Sequence, residues 1–248
     1  MGSGDSKPLP VAQPFQHFAK WQLAEFDVFT QNLAERNCAL GITKEELKTI
    51  IIAVDLNGAN VTENLFDAFA DLPETLESSS ALAKDSIAIN VLSVLAGLCI
   101  ISNSNDNVDA VEQIKDIYDI FNLKGNGGLS LAETTIMIRS TCQALEVMFG
   151  YAQISTRRCM TMQIAESIAK EAFSKYGKSI EIITRSSPNS SDLLLSSDEF
   201  TAFIASKLLG IDILPSQVAD NAWTTSQIKV ERLNVLELPK KIIEEWGS

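Results

Sequence analysis

The sequence predicts an all-α fold. Apolar residues recur at three- and four-residue spacing along almost the whole chain, and no segment sustains the every-second-residue alternation of a half-buried strand. The interruptions fall where turn chemistry is concentrated: Asp55-Leu56-Asn57-Gly58, Ser102 to Asn107, Gly125-Asn126-Gly127-Gly128, and the polar run Arg185 to Asp192.

Taken in order, the first helix is expected over Gln16 to Ala34. The second, Lys44 to Val54, opens after a Thr43-x-x-Glu46 start signal and stops at the Asp55–Gly58 break; the third follows it over Thr62 to Leu72. Ala88 to Ile101 is the most apolar segment. Together with Ile87 it makes a run of 15 residues interrupted by Asn90 and Ser93, where a bilayer-spanning helix needs about 20. It therefore reads as a core helix. Beyond the Asn-rich break come Val108 to Phe121, Leu131 to Phe149, Thr156 to Tyr176 and Ser197 to Leu209. Eight helices imply four helix pairs. The chain divides into a tail over 1–14, a first half over 15–104, a second half of similar pattern over 105–210, and an extension over 211–248. That extension carries Ile213, Leu214, Trp223, Ile228, Leu233, Leu236, Ile242 and Trp246, more apolar surface than polar disorder would hold.

Composition narrows the function. A formal charge of −12 excludes a nucleic-acid binder in the ordinary sense, since phosphate neutralisation needs clustered Lys and Arg. It suits a basic partner surface, or serves solubility alone. Cys38, Cys99, Cys142 and Cys159 lie far apart without C-x-x-C spacing, and read as buried thiols of a reducing compartment. His17 is the only histidine, so triad, metallohydrolase and histidine acid–base chemistries lack their usual parts. No nucleophile with a base partner, phosphate loop or metal cluster can be drawn, and an enzyme is not expected. Met1-Gly2-Ser3-Gly4-Asp5-Ser6 fits the acylation pattern M-G-x-x-x-[ST] at Gly2, and equally a plain terminal leader.

One small pattern occurs three times: Ile42-Thr43-x-x-Glu46, Leu129-Ser130-x-x-Glu133 and Leu195-Ser196-x-x-Glu199. Physically it is a capping box, in which the hydroxyl accepts from the backbone N–H three residues on and the Glu reaches back to the cap.

In its third-loop context the pattern becomes more specific. Asn122-Leu123-Lys124-Gly125-Asn126-Gly127-Gly128-Leu129-Ser130-Leu131-Ala132-Glu133 resembles an EF-hand loop, with glycine at the sixth place, an apolar eighth residue and Glu at the twelfth. With Ile117 to Phe121 before it, the text is similar to the third hand of calcineurin B and the neuronal calcium sensors. The resemblance covers roughly Phe15 to Leu209. It implies that the eighth residues of paired loops meet in a short β-ladder, Ile42 with Ile87 and Leu129 with Leu195.

The departures from the family pattern bear on function. Calcium takes six to eight oxygens, several of them anionic. The third loop places Lys124 where an anion belongs and neutral Asn122 and Asn126 beside it, leaving Glu133 as its one carboxylate. The second loop, in the register above, puts Val91 at the twelfth place. The first keeps Glu35, Asn37 and Glu46 but has Ala39 and Leu40 at the fifth and sixth. The fourth carries eleven more residues between Tyr176 and Leu195 than separate Phe121 from Leu129, and its acidic candidates Glu181 and Asp192 have no loop spacing. No cofactor is therefore expected, calcium included; the residual candidates for a metal are Asn122, Asn126, Gly128, Ser130 and Glu133.

The resemblance also implies an apolar groove for the nonpolar face of a target helix, here a basic amphipathic one. Candidate groove residues are Leu47, Ile51, Phe66, Phe69, Leu92 and Leu95 from the first half, with Ile136, Leu145, Met148 and Phe149 from the second; ordinary core packing is the alternative for each. The leading expectation is a cytoplasmic protein-binding adaptor or structural subunit of a larger assembly, cytoskeletal or ciliary by family habit. The alternative is a calcium sensor, N-myristoylated at Gly2, acting as a switch at membranes.

Overall fold

The computed structural model describes residues 15–21, 23–35, 41–70, 88–102, 110–122, 127–149, 160–179, 193–209 and 214–219. Gly2, Lys124, Asn126, Glu181, Asp192 and the extension beyond Ala219 lie outside them. The described chain is mostly helical, as its periodicity predicts. Among the described residues no helix is long and apolar enough to cross a membrane.

The chain falls into two compact units. The first begins with a 3-10 turn at Phe18–Lys20, then α1 (Leu23–Glu35), β1 (Gly41–Thr43), α2 (Lys44–Val54), a 3-10 turn at Leu56–Gly58, α3 (Ala59–Ala70), β2 (Ala88–Asn90) and α4 (Val91–Ser102). The second holds α5 (Ala110–Phe121), the start of α6 (Leu131–Phe149), α7 (Met162–Tyr176), β3 (Lys178–Ser179), β4 (Leu193–Leu194), α8 (Ser197–Leu209) and a short α9 (Pro215–Ala219). From Gln143 onward α6 groups with the first unit.

In the first unit β1 and β2 pair antiparallel, joining the loop between α1 and α2 to the start of α4. α2 packs on α3 and on α1, and α1 on α4. Ile42, Leu47, Ile50, Ile51, Leu65, Phe69 and Ile89 are fully enclosed. The turn from α2 to α3 is tight enough to need glycine: a Cβ on Gly58 would lie 2.5 Å from Ile51 Cγ2, closer than real Cβ contacts. The buried Thr62 hydroxyl donates to the Gly58 carbonyl at 3.0 Å and ties α3 to that turn. The last turns of α6 lie against α4. Ser93 Oγ donates to Gln143 Oε1 at 3.3 Å, and a Cβ on Gly97 would collide with Met148.

In the second unit the pairing reduces to a single antiparallel bridge, Leu129 with Leu195, with both N–H···O distances 2.9 Å. This is the pair that the resemblance implied. α8 is the centre of the unit, packing on α5, α7 and α9, with the ion pair Lys115–Asp198 at 3.0 Å across α5 and α8. β3 and β4 pair in the register Lys178 with Leu194 and Ser179 with Leu193, bracketing residues 180–192, which lie outside the described ones.

Several expected elements are corrected. The helix expected over Gln16 to Ala34 is two pieces, because Trp21 is extended (ψ 138°) and closes the 3-10 turn with its N–H on the Phe18 carbonyl. Ala88–Asn90, expected as the first turn of a helix, is strand, since its backbone groups are drawn into pairing with β1. The third helix begins at Ala59, three residues earlier than expected, and ends at Ala70. The seventh begins at Met162, capped by the Thr161 hydroxyl accepting from the Ile164 N–H. The partner of Ile42 is Ile89 and not Ile87.

Candidate functional site

Each unit is built around a pair of loops clasped by short antiparallel pairing, and the helix leaving a loop starts two residues after the paired apolar residue, Ile42, Ile89, Leu129 or Leu195. Where that helix starts with Thr or Ser, the sequence pattern becomes a closed hydrogen-bond ring. Glu46 Oε2 accepts from the Thr43 N–H at 2.9 Å and from its hydroxyl at 2.8 Å, while the Glu46 N–H returns to Thr43 Oγ1. Glu133 Oε2 stands at 2.8 and 2.7 Å from Ser130 N and Oγ. Glu199 Oε2 stands at 2.9 and 2.8 Å from Ser196 N and Oγ. Each box satisfies backbone donors that a helix start leaves orphaned. Glu199 is buried and Glu133 half-buried.

The second loop follows the same plan with different residues. In the register of the clasp, the residue four beyond Ile89, equivalent to Glu46 four beyond Ile42, is Ser93; the assignment of Val91 to that place is corrected by two residues. Asn90 stands where the other loops have Thr or Ser, and its Oδ1 accepts from the Leu92 N–H at 3.0 Å. Ser93 reaches across to α6 instead of back to its own cap. Ile89-Asn90-x-x-Ser93 is thus a fourth copy of the repeat, legible had Asn been admitted at the capping place and Ser at the last.

At the second clasp the Leu195 carbonyl takes two donors, the Leu129 N–H and the Tyr118 hydroxyl at 2.7 Å. Burial, helped by the nearby charges of Asp119, Glu199 and Glu133, pushes the Tyr118 phenol up to about 12, against a smaller opposing effect of the Leu129 backbone. Its folded value thus exceeds the ordinary tyrosine value near 10. The associated stability is complete below pH ~10 and is lost as pH rises through about 12. In an ultraviolet titration one of the three tyrosines should ionise near pH 12, and Tyr118→Phe should remove that step.

The third loop is the place to test a fit to calcium. Gly127 has φ +82°, the left-handed turn expected at the sixth place, and a Cβ on Gly128 would lie 2.8 Å from Leu194 Cβ. Asn122 Oδ1 is buried without a hydrogen-bond partner among the described residues, as an acceptor waiting for a donor or cation would be. Against it, Glu133 is the one carboxylate among the candidates, it is engaged in its capping box, and the loop carries Lys124. One anion opposed by one ammonium does not fit a divalent ion. Among the described residues no three His, Cys, Asp or Glu side chains stand together as a metal group.

Of the candidate groove residues, Leu47, Ile51, Phe66, Phe69, Leu92, Leu145 and Met148 are buried, and Leu95 and Ile136 are half-buried. Phe149 ends α6, and its side chain lies outside the described residues. Leu145 and Met148 group with the first unit, whereas Ile136 belongs to the second. Cys99 and Cys142 are buried and in no disulfide, as expected; Cys38 and Cys159 lie outside the described residues.

A cluster that sequence reasoning missed sits at the turn between α2 and α3. Asp55 Oδ1 accepts from the Asn57 N–H at 2.9 Å; Oδ2 stands 2.6 Å from His17 Nε2 and 3.3 Å from Trp21 Nε1. Burial alone would raise the Asp55 carboxyl, but the donors from Asn57, His17 and Trp21 together hold it below its ordinary value. Its contribution to stability is therefore present above the ordinary carboxylate range and is lost as pH falls through the lowered folded value. The one signal in the sequence was a single histidine four residues from an early tryptophan, and nothing local connects either to residue 55.

No protein-family model, curated protein or solved structure matches the chain.

Proposed function

We propose that this chain is an EF-hand-like protein-binding module, an adaptor or structural subunit of a larger cytoplasmic assembly, that holds its partner without needing calcium. The observation that carries the reading is the commitment of the loop-end carboxylates. Glu46, Glu133 and Glu199 each close a capping box beside a clasped loop pair, where an ion switch would need them for the ion. An ion entering one of these loops would have to draw the Glu out of its box. The acidic, apolar-rich chain suits a basic amphipathic helix as the partner's contact element.

The experiment is native purification of the tagged chain in parallel with calcium and with a chelator. The partner should be recovered in equal yield from both. Recovery only with calcium would overturn the reading.

A second reading, an N-myristoylated calcium sensor, is favoured by one observation, the buried Asn122 Oδ1 at the head of the third loop, without a partner among the described residues. It requires affinity from a loop with a single carboxylate.

A further inference from the structure

We propose that residues 15–21 form an autoinhibitory strap, an intramolecular occupant of the first unit that a basic amphipathic helix must displace in order to bind. The inference rests on the partner-binding reading above and adds to it the element that regulates access.

Phe15, Phe18 and Trp21 follow one another at three-residue spacing and all are buried. That is the anchor spacing by which a short helical segment enters an apolar groove. The 3-10 turn Phe18–Lys20 packs on α4, the helix that carries the groove candidates Leu92 and Leu95. Phe18 and Trp21 meet edge to face with centroids 5.1 Å apart, and Trp21 tilts onto Phe29 of α1 at 5.9 Å. The 3-10 geometry ends at Trp21, whose backbone is extended, before α1 begins at Leu23.

Its polar fastening is concentrated on one carboxylate. His17 and Trp21 both reach Asp55 Oδ2, on the turn that follows the groove candidate Ile51. This latch is half-exposed, with His17 and Asp55 side chains 26% and 21% accessible. A Lys or Arg on an incoming helix could therefore take over the Asp55 carboxylate while its apolar residues replace the three aromatics. The occupant that fits is thus a helix both basic and amphipathic, which is what the negative charge of the chain independently favours.

The test uses the full chain and two variants. Asp55→Asn removes the charge that holds the strap, and His17→Gln loosens the strap while leaving the Asp55–Asn57 contact in place. Amide exchange of residues 18–21 reports the strap. A synthetic leucine–lysine amphipathic helix serves as the probe for the surface beneath it. Both variants should speed exchange at 18–21; His17→Gln, which leaves the Asp55 carboxylate for the incoming helix, should also tighten probe binding in proportion, by roughly tenfold where the strap opens tenfold more often, because apparent affinity scales with the competent fraction. Faster exchange in His17→Gln with unchanged probe affinity would overturn the strap alone. Unchanged exchange in both variants would show that Asp55 is no latch and would also overturn it. Failure of the probe to bind any of the three proteins would overturn the partner-helix reading along with it.

Discussion

Ile89→Ala is expected to lower stability by about 2–5 kcal/mol, the range for truncating a fully buried branched side chain. Ile89 is the residue that faces Ile42 across the first clasp, and neither is accessible to solvent. Their side chains are joined by geometry as well as burial, since antiparallel partners hold their Cβ atoms within about 5.5 Å. Ile42→Ala should cost a similar amount, and the double variant should cost less than the sum by at least ~0.5 kcal/mol. Urea denaturation followed by helical circular dichroism measures all three. Strict additivity would mean that the two residues do not meet, and the register with Ile89 would fall.

Glu199→Ala carries the second large effect, about 2–3 kcal/mol. Loss of the box removes a helix cap, and it leaves the half-buried Ser196 N–H and hydroxyl without the buried Glu199 carboxylate as their acceptor. Glu133→Ala, in a half-buried box, should cost about 1 kcal/mol. Glu199→Gln keeps an acceptor within reach and should cost less than Glu199→Ala. Equal losses for Glu133→Ala and Glu199→Ala would contradict the dependence on burial.

How far the sequence disclosed this molecule depends on the range of the interactions involved. Helix starts set by capping boxes, at Lys44, Leu131 and Ser197, fall on the expected residues, because a hydrogen bond spanning three residues is written locally. The helical ends at Val54, Phe121 and Phe149 follow from adjacent turn chemistry. The errors lie where distant segments decide. Ala88–Asn90 has helical neighbours and becomes strand because β1 offers it partners. Trp21 interrupts a helical pattern because its ring and indole N–H are claimed by Phe18, Phe29 and Asp55. The second loop lies two residues from its expected register because Asn90 caps the helix where the other copies of the repeat have Thr or Ser. The groove candidates illustrate a further limit. Periodicity identifies the apolar side of a helix, but Leu47 or Met148 reads the same whether its neighbours come from its own chain or from a partner. Asp55 was legible only as a turn residue; its meeting with His17 is a product of the fold.

The central claim is that the capped loops serve structure rather than ion exchange, and isothermal calorimetry of calcium into the full chain tests it most directly. The account predicts no saturable heat at micromolar calcium, and no difference between the natural chain and Glu133→Gln. A saturable micromolar binding heat that Glu133→Gln abolishes would contradict it.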